Sequence, residues 1–382
     1  MTSTDIRHAD LPELLRVLQS QSIRRVDTVA SARNLFMSDS NSVWLFSHQA
    51  AQITDDGVIP ESSGQHEYAI GEVAAEHMAE KLKIPAPYWK RCSTEAPGLL
   101  ATNANHWLSV TDDSFYVRAY APDQEGGVGF MRAMLSSRYR TIDSIDVLTA
   151  AVNGIHNAGL SASELSITGD LSERRMYVRI DAPQVQIEAL DLVQRYTDPA
   201  TGRTGRDYPV LGAGVIIRNS DVGHGAFDIS PYLKVLVCKN GMTRRQDSIR
   251  KVHVGAKQSD GIIDWSEETL RRELALIESQ TTDAVRTFLT TEYLQRVVDE
   301  IRAVNGRRIA EPLDKLKDVT MTLHYSNAER DMILNAFMHG GDMTPFGVAQ
   351  AITYVAQSPE LDADRAAKFE DDAWRAMELA AR

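Results

Sequence analysis

Two short stretches of this 382-residue sequence concentrate side chains suited to holding phosphates. The first is Ser136-Ser137-Arg138-Tyr139-Arg140-Thr141-Ile142-Asp143, where two guanidiniums bracket a phenol beside hydroxyls, ahead of a helical pattern. Guanidiniums bind phosphate oxygens as charged donors, and an aromatic ring between them could stack on a base. The same residues would also suit a plain strand-to-helix turn whose arginines pair with nearby acids. The second stretch runs Leu236-Val237-Cys238-Lys239-Asn240-Gly241-Met242-Thr243-Arg244-Arg245 and continues to Arg250, Lys251 and Lys257. Asn-Gly after an apolar run signals a turn in which glycine takes a positive φ. The stretch therefore reads as a basic hairpin projecting from a sheet. On such a hairpin, lysine and arginine gain affinity for a nucleic-acid backbone by releasing its counterions. The plain alternative is an edge hairpin kept soluble by its charges.

Lys239-Asn240-Gly241 also bears a faint likeness to the lysine motif of nucleotidyl-transferring ligases. A lysine that attacks a nucleotide phosphate needs a depressed pKa and a metal site. Asn240 stands where that motif has an acid, and no matching carboxylate set follows it. Other chemistry is weaker still. Leu211-Gly212-Ala213-Gly214 lacks the third glycine of a dinucleotide fingerprint and reads as strand. His224 and His253 stand apart from any cysteine pair, and His339-Gly340-Gly341-Asp342 reads as a helix end rather than a metal site. No metal and no cofactor is expected.

Charge sharpens the first two candidates. The chain carries a net −12, which argues against a wholly electrostatic DNA binder. Yet residues 201–257 hold ten basic side chains (Arg203, Arg206, Arg218, Lys234, Lys239, Arg244, Arg245, Arg250, Lys251 and Lys257) against four acidic ones, a local excess of six. The acidity lies elsewhere, notably in Asp362, Asp364, Glu370, Asp371 and Asp372 near the C-terminus, a surface that would suit a phage or host protein partner. At 43% hydrophobic and 25% charged residues, wholesale disorder is excluded. No apolar run approaches the roughly 20 residues that span a bilayer, so no membrane association is expected. The polar start of the chain does not resemble a secretory signal, and two distant cysteines, Cys92 and Cys238, suit reduced thiols in the cytoplasm.

The elements that must position these residues imply an α+β fold: a central, mostly antiparallel sheet with packed helices, followed by an all-helical C-terminal region. Leu11, Leu14, Leu15, Leu18 and Ile23 have helical spacing, and residues 54–65 read as a loop, giving an N-terminal helical segment and loop over residues 1–63. Residues 64–262 form the α+β core. Within it, Trp107 to Val110 and Ser114 to Tyr120 alternate around Asp112-Asp113 like a hairpin, and Asp143-Ser144 caps a helix to Asn157. Residues 263–382 form a helical C-terminal domain. Its signals are an Asp264–Glu267 capping box, a helix end at Asn305-Gly306, a start at Thr344-Pro345, and a last helix from Ala363 to Ala380.

Several of these stretches together resemble the phage/plasmid-like family of unknown function (domain of unknown function 932). They are Ile84-Pro85-Ala86-Pro87-Tyr88 with Leu100, Asn103 and Trp107-Leu108; Ser136 to Arg140; Asn219-Ser220-Asp221-Val222-Gly223; Val237 to Met242; and Thr344 to Tyr354. The resemblance implies an origin in mobile elements. By fold-level analogy it points to their single-strand annealing proteins, which assemble into rings or filaments around a small mixed sheet with a basic hairpin. The resulting expectation is an oligomeric protein that binds single-stranded DNA or RNA and assists phage recombination. Arg138, Arg140, Lys239, Arg244, Arg245, Arg250, Lys251 and Lys257 would meet the backbone, and Tyr139 would stack. Reversing Arg244 and Arg245 to Glu would then abolish binding and spare the fold. The competing expectations are nucleotidyl transfer at Lys239 and a non-enzymatic accessory protein.

Overall fold

The computed structural model describes residues 5–49, 52–54, 57–59, 62–124, 126–237, 240–251, 267–305 and 309–382. The expected α+β class is present, but with two main sheets and two main apolar cores.

The smaller lobe is built on a sheet of Arg25–Ser31, Ser114–Tyr120, Gly129–Ser136, Ser62–Ile70, Ser42–Gln49 and Leu35–Met37, in that spatial order. Ser62–Ile70 runs parallel to Gly129–Ser136. Such a pair needs a long crossover, and helices Glu72–Lys81, Ala86–Glu95 and Pro97–Val110 lie in it. Their Met78, Trp89, Leu100 and Leu108 pack with Val43, Leu45, Tyr68 and Val117 of the strands. Trp107 to Val110 therefore ends a helix and is not half of a hairpin. Leu100, Ala101, Ala104 and Leu108 recur at helical spacing along it, and Pro97 starts it.

The larger lobe orders Ile6–Asp10, Ser166–Leu171, Met176–Glu188, Val210–Asn219, Phe227–Val235 and Asn240–Thr243 in antiparallel pairs, with Ile249–Lys251 also on Phe227–Val235. Strand alternation separates its two faces. Ile167, Val178, Ile180, Val215, Ile217 and Ile229 meet Leu14, Leu148, Ile155 and Ile277 from three helices, Leu11–Arg24, Ser144–Asn157 and Glu267–Phe288. The opposite face carries Asp170, Tyr177, Arg179, Arg218, Asp228, Ser230 and Tyr232, all buried. Helix Ala363–Ala380 contributes to the cover over this face, its Ala363 and Ala367 seated on Tyr177, Ile216 and Tyr232.

These facts redraw the expected divisions. Residues 1–63 are not a helix and loop: after helix Leu11–Arg24 they supply strands to the smaller sheet, and Ile6–Asp10 pairs with Ser166–Leu171. No boundary between cores falls at 262/263, because one apolar cluster runs from Ala9 through Ile229 to Ala380. The chain leaves the larger lobe after Arg24, builds the smaller lobe to Ser136, and returns through the turn that ends at Asp143. Of the expected helix signals, Thr344 accepts a capping bond from Gly347 N, and helix Ala363–Ala380 buries Ala366, Phe369, Trp374 and Met377 as expected. Ile23 is 85% exposed and leaves the expected apolar stripe. Asp264 and Gly306 lie outside the described residues.

Candidate nucleic-acid interface

Both chain crossings between the lobes meet around Arg118, which is 1% exposed. Its Nε and Nη2 donate to the Asp27 carboxylate at 3.1 and 3.0 Å, Nη2 to Asp143 at 2.6 Å, and Nη1 to the Asp221 carbonyl at 2.7 Å. Arg132 forks onto Asp221 with two bonds of 2.9 Å, and Arg25 pairs with Asp143. Burial alone would raise the Asp221 pKa, but the Arg132 and Arg118 guanidiniums outweigh it and hold the carboxyl at about 2. Arg25, Arg118 and Arg132 thus face Asp27, Asp143 and Asp221, a balanced set that clamps the lobes and leaves no surplus charge inside. Asp143 sits at the helix N-cap as expected, but its carboxylate makes no cap bond because the arginines take it.

The turn Ser136–Asp143 rides on this network. Arg138 and Arg140 are exposed, as a phosphate contact requires. Tyr139 is not available to a base: it packs with Leu135 and Val222 in the seam between the lobes, and burial pushes its phenol up to about 12. Its role as a stacking ring is corrected to that of a packing ring.

The basic hairpin exists but is turned inward. Phe227–Val235 and Asn240–Thr243 pair with Val235 opposite Asn240, so Asn240-Gly241 is strand rather than turn. Gly241 does not take a positive φ; it is needed because a Cβ there would lie 1.7 Å from the Tyr232 ring. Arg244 is 8% exposed. Its Nε lies 3.0 Å from Asp247 and its Nη2 2.7 Å from Glu300, with the guanidinium 4.7 Å above Trp374. Arg245 reaches Asp228 at 3.5 Å and Asp371 at 3.4 Å. Arg244 is therefore not a surface cation, and reversing it would break the fold rather than spare it. Arg250 and Lys251 belong to strand Ile249–Lys251. Lys239 and Lys257 lie outside the described residues.

The rest of the basic stretch follows the same division. Arg218 donates to Asp228 at 2.7 Å and Asp371 at 2.6 Å, and Lys234 pairs with Asp181. The acidic C-terminal helix supplies one of these partners, Asp371, and otherwise engages strand Met176–Glu188: Asp364 accepts from Tyr177 at 2.6 Å and Glu370 from Arg179 at 2.7 Å. Asp372 accepts from Lys368 at 2.7 Å. The acidic surface expected to meet another protein is thus engaged within the chain. Arg203 and Arg206, counted in the basic stretch but not placed in the expected site, are exposed. The glycine-punctuated Thr201-Gly202-Arg203-Thr204-Gly205-Arg206 was the signal that could have marked them as a surface loop.

Elsewhere, Gly212 and Gly214 lie in a strand and Gly341, at φ 72°, follows helix Asn327–Gly340 as its cap. His77 and His224 stack across the lobes with ring centroids 5.3 Å apart. No cluster of three or more metal-binding side chains occurs among the described residues, and none of their helices is long and apolar enough to cross a membrane. Comparison with protein-family models, curated proteins and solved structures finds no match to the chain. The motif resemblance therefore brings no residue roles with it.

Proposed function

We propose that the protein binds single-stranded nucleic acid and acts, as an oligomer, in strand annealing for a mobile element. The observation that carries this reading is the turn Ser136–Asp143. It holds Arg138 and Arg140 at the surface over a clamp whose own acids, Asp27, Asp143 and Asp221, are already engaged by Arg25, Arg118 and Arg132. With the clamp itself neutral, Arg138 and Arg140 give this turn its positive charge, in guanidiniums suited to charge-assisted bonds to phosphate.

Fluorescence anisotropy of a labelled single-stranded oligonucleotide tests this at about 50 and about 200 mM salt, a range over which phosphate binders lose much affinity. The expected result is saturable binding that weakens with salt, is tighter than to duplex, and falls at least tenfold in Arg138→Glu/Arg140→Glu. Absence of binding at the lower salt would overturn the reading.

A further inference from the structure

The loop from Arg195 to Tyr208 presents Arg195, Arg203, Arg206 and Tyr208 to solvent. The Arg203 guanidinium lies 5.1 Å from the centroid of the Tyr208 ring, which is still 42% exposed. Neither Arg203 nor Arg206 forms an ion pair among the described residues. This contrasts with Arg218, Lys234, Arg244 and Arg245 of the same basic stretch.

The loop is braced from within. Thr197 and Thr204 form an isolated β-bridge, Asp198 N donates to Arg203 O at 2.8 Å, and Gly205 N donates to Tyr196 O at 2.9 Å. The buried Asp198 carboxylate accepts from Thr201, and Asp207 accepts from Thr204 Oγ1 at 2.7 Å. Thr197 N donates to Gly340 O at 2.9 Å, tying the loop to a helix end. Gly202 needs its φ of 70°, and a Cβ on Gly205 would lie 1.9 Å from Val193 O. None of this bracing uses the side chains of Arg203, Arg206 or Tyr208. The backbone fixes a platform and leaves the cations and the ring to a ligand.

We propose that this loop is a second contact surface for single-stranded nucleic acid, with Arg203 and Arg206 meeting backbone phosphates and Tyr208 stacking on an unpaired base. The inference rests on the nucleic-acid reading above but on different residues. The ring favours a single strand because a duplex keeps its base faces stacked on one another, whereas a single strand can offer a face to Tyr208. The arginines bind either form, so the two residue types should separate in experiment.

The test measures anisotropy of a labelled oligothymidine of about 20 nucleotides, longer than one typical binding site, and of the matching duplex. Wild type, Arg203→Glu/Arg206→Glu, Tyr208→Ala and Tyr208→Phe are compared at matched thermal stability, with Arg203→Gln/Arg206→Gln in reserve if the double reversal folds poorly. The expected loss is at least tenfold for the arginine pair on both ligands, with the slope of log affinity against log salt shallower by about two. Tyr208→Ala should lose about fivefold or more on the single strand alone, as loss of one stacked base implies, and Tyr208→Phe should bind normally. Wild-type affinity in the arginine variant, while Arg138→Glu/Arg140→Glu still loses tenfold or more, overturns this surface and keeps the nucleic-acid reading. A Tyr208→Ala loss equal on both ligands overturns the stacking assignment. Absence of wild-type binding overturns both readings.

Discussion

Arg203 and Arg206 sit on a braced surface loop, while Arg218 and Arg244 of the same basic stretch lie under the C-terminal helices, paired with acids. Summed along the sequence, the four contribute equally to a positive excess. In the fold they belong to opposite environments. A position on the covered face of a sheet cannot hold an unpaired cation, so each buried guanidinium has drawn carboxylates from distant segments: Asp371 for Arg218 and Glu370 for Arg179. A loop held by its own backbone carries no such requirement. Local charge density is therefore a guide to nucleic-acid contact only after the inward positions have been subtracted. In this chain the basic stretch and the acidic C-terminus, which look like two separate binding surfaces, meet at Asp371, which faces both Arg218 and Arg245.

The strongest way to break this contrast is to remove a buried guanidinium. Arg218→Leu leaves Asp228 and Asp371 with only their longer contacts to Arg245 and should cost about 3–5 kcal/mol in urea unfolding. A loss under about 1 kcal/mol, the range of a surface pair, would show that the lattice is dispensable. Next comes reversal at the two sites. Arg244→Glu, facing Asp247 and Glu300, should destabilise by about 2–4 kcal/mol, whereas Arg203→Glu should stay within about 0.5 kcal/mol of wild type. Equal shifts would dissolve the distinction between inward and outward cations.

A smaller effect sharpens it. Asp342 is buried, its cationic neighbour Arg195 is exposed, and burial pushes its carboxyl from 3.8 up to about 6. Because the folded chain holds this proton more tightly than the unfolded chain, this group's contribution to stability falls as pH rises from about 4 to about 6 and is level above. Asp342→Asn should therefore stabilise the protein at pH 7 by no more than about 3 kcal/mol, the equivalent of that shift. The gain should vanish near pH 4 in thermal melts. A gain that persists at pH 4 would mean that packing, and not the buried charge, is responsible.

Much of the fold was legible wherever a local signal matched its tertiary use. Thr344 caps its helix, the last helix runs from Ala363 to Ala380, and Leu211-Gly212-Ala213-Gly214 lies in strand Val210–Asn219. Alternation could not say that a helix would cover the polar face, so Arg179 and Arg218 carried no mark of burial. Nor could it show that Ile6–Asp10 pairs with a strand far along the chain. Of the expected site, Arg138 and Arg140 are exposed. Tyr139 and Arg244 are not, because one fills the seam between lobes and the other lies between Asp247, three residues on, and Glu300, from a helix the sequence does not link to it.

The two crossings near Arg24 and Asp143 also say something about how the protein is made. The smaller lobe is an inserted cassette, a contiguous segment whose two ends are drawn together by Arg25 and Asp143. On the ribosome the cassette is complete before most of the larger sheet has been synthesised, so it is placed to fold first. Strand Ile6–Asp10, which precedes the cassette, has no partner until Ser166–Leu171 follows it. A strand made ahead of the cassette is thus hydrogen-bonded only after it, at the entropic cost of closing a loop that spans the whole inserted lobe.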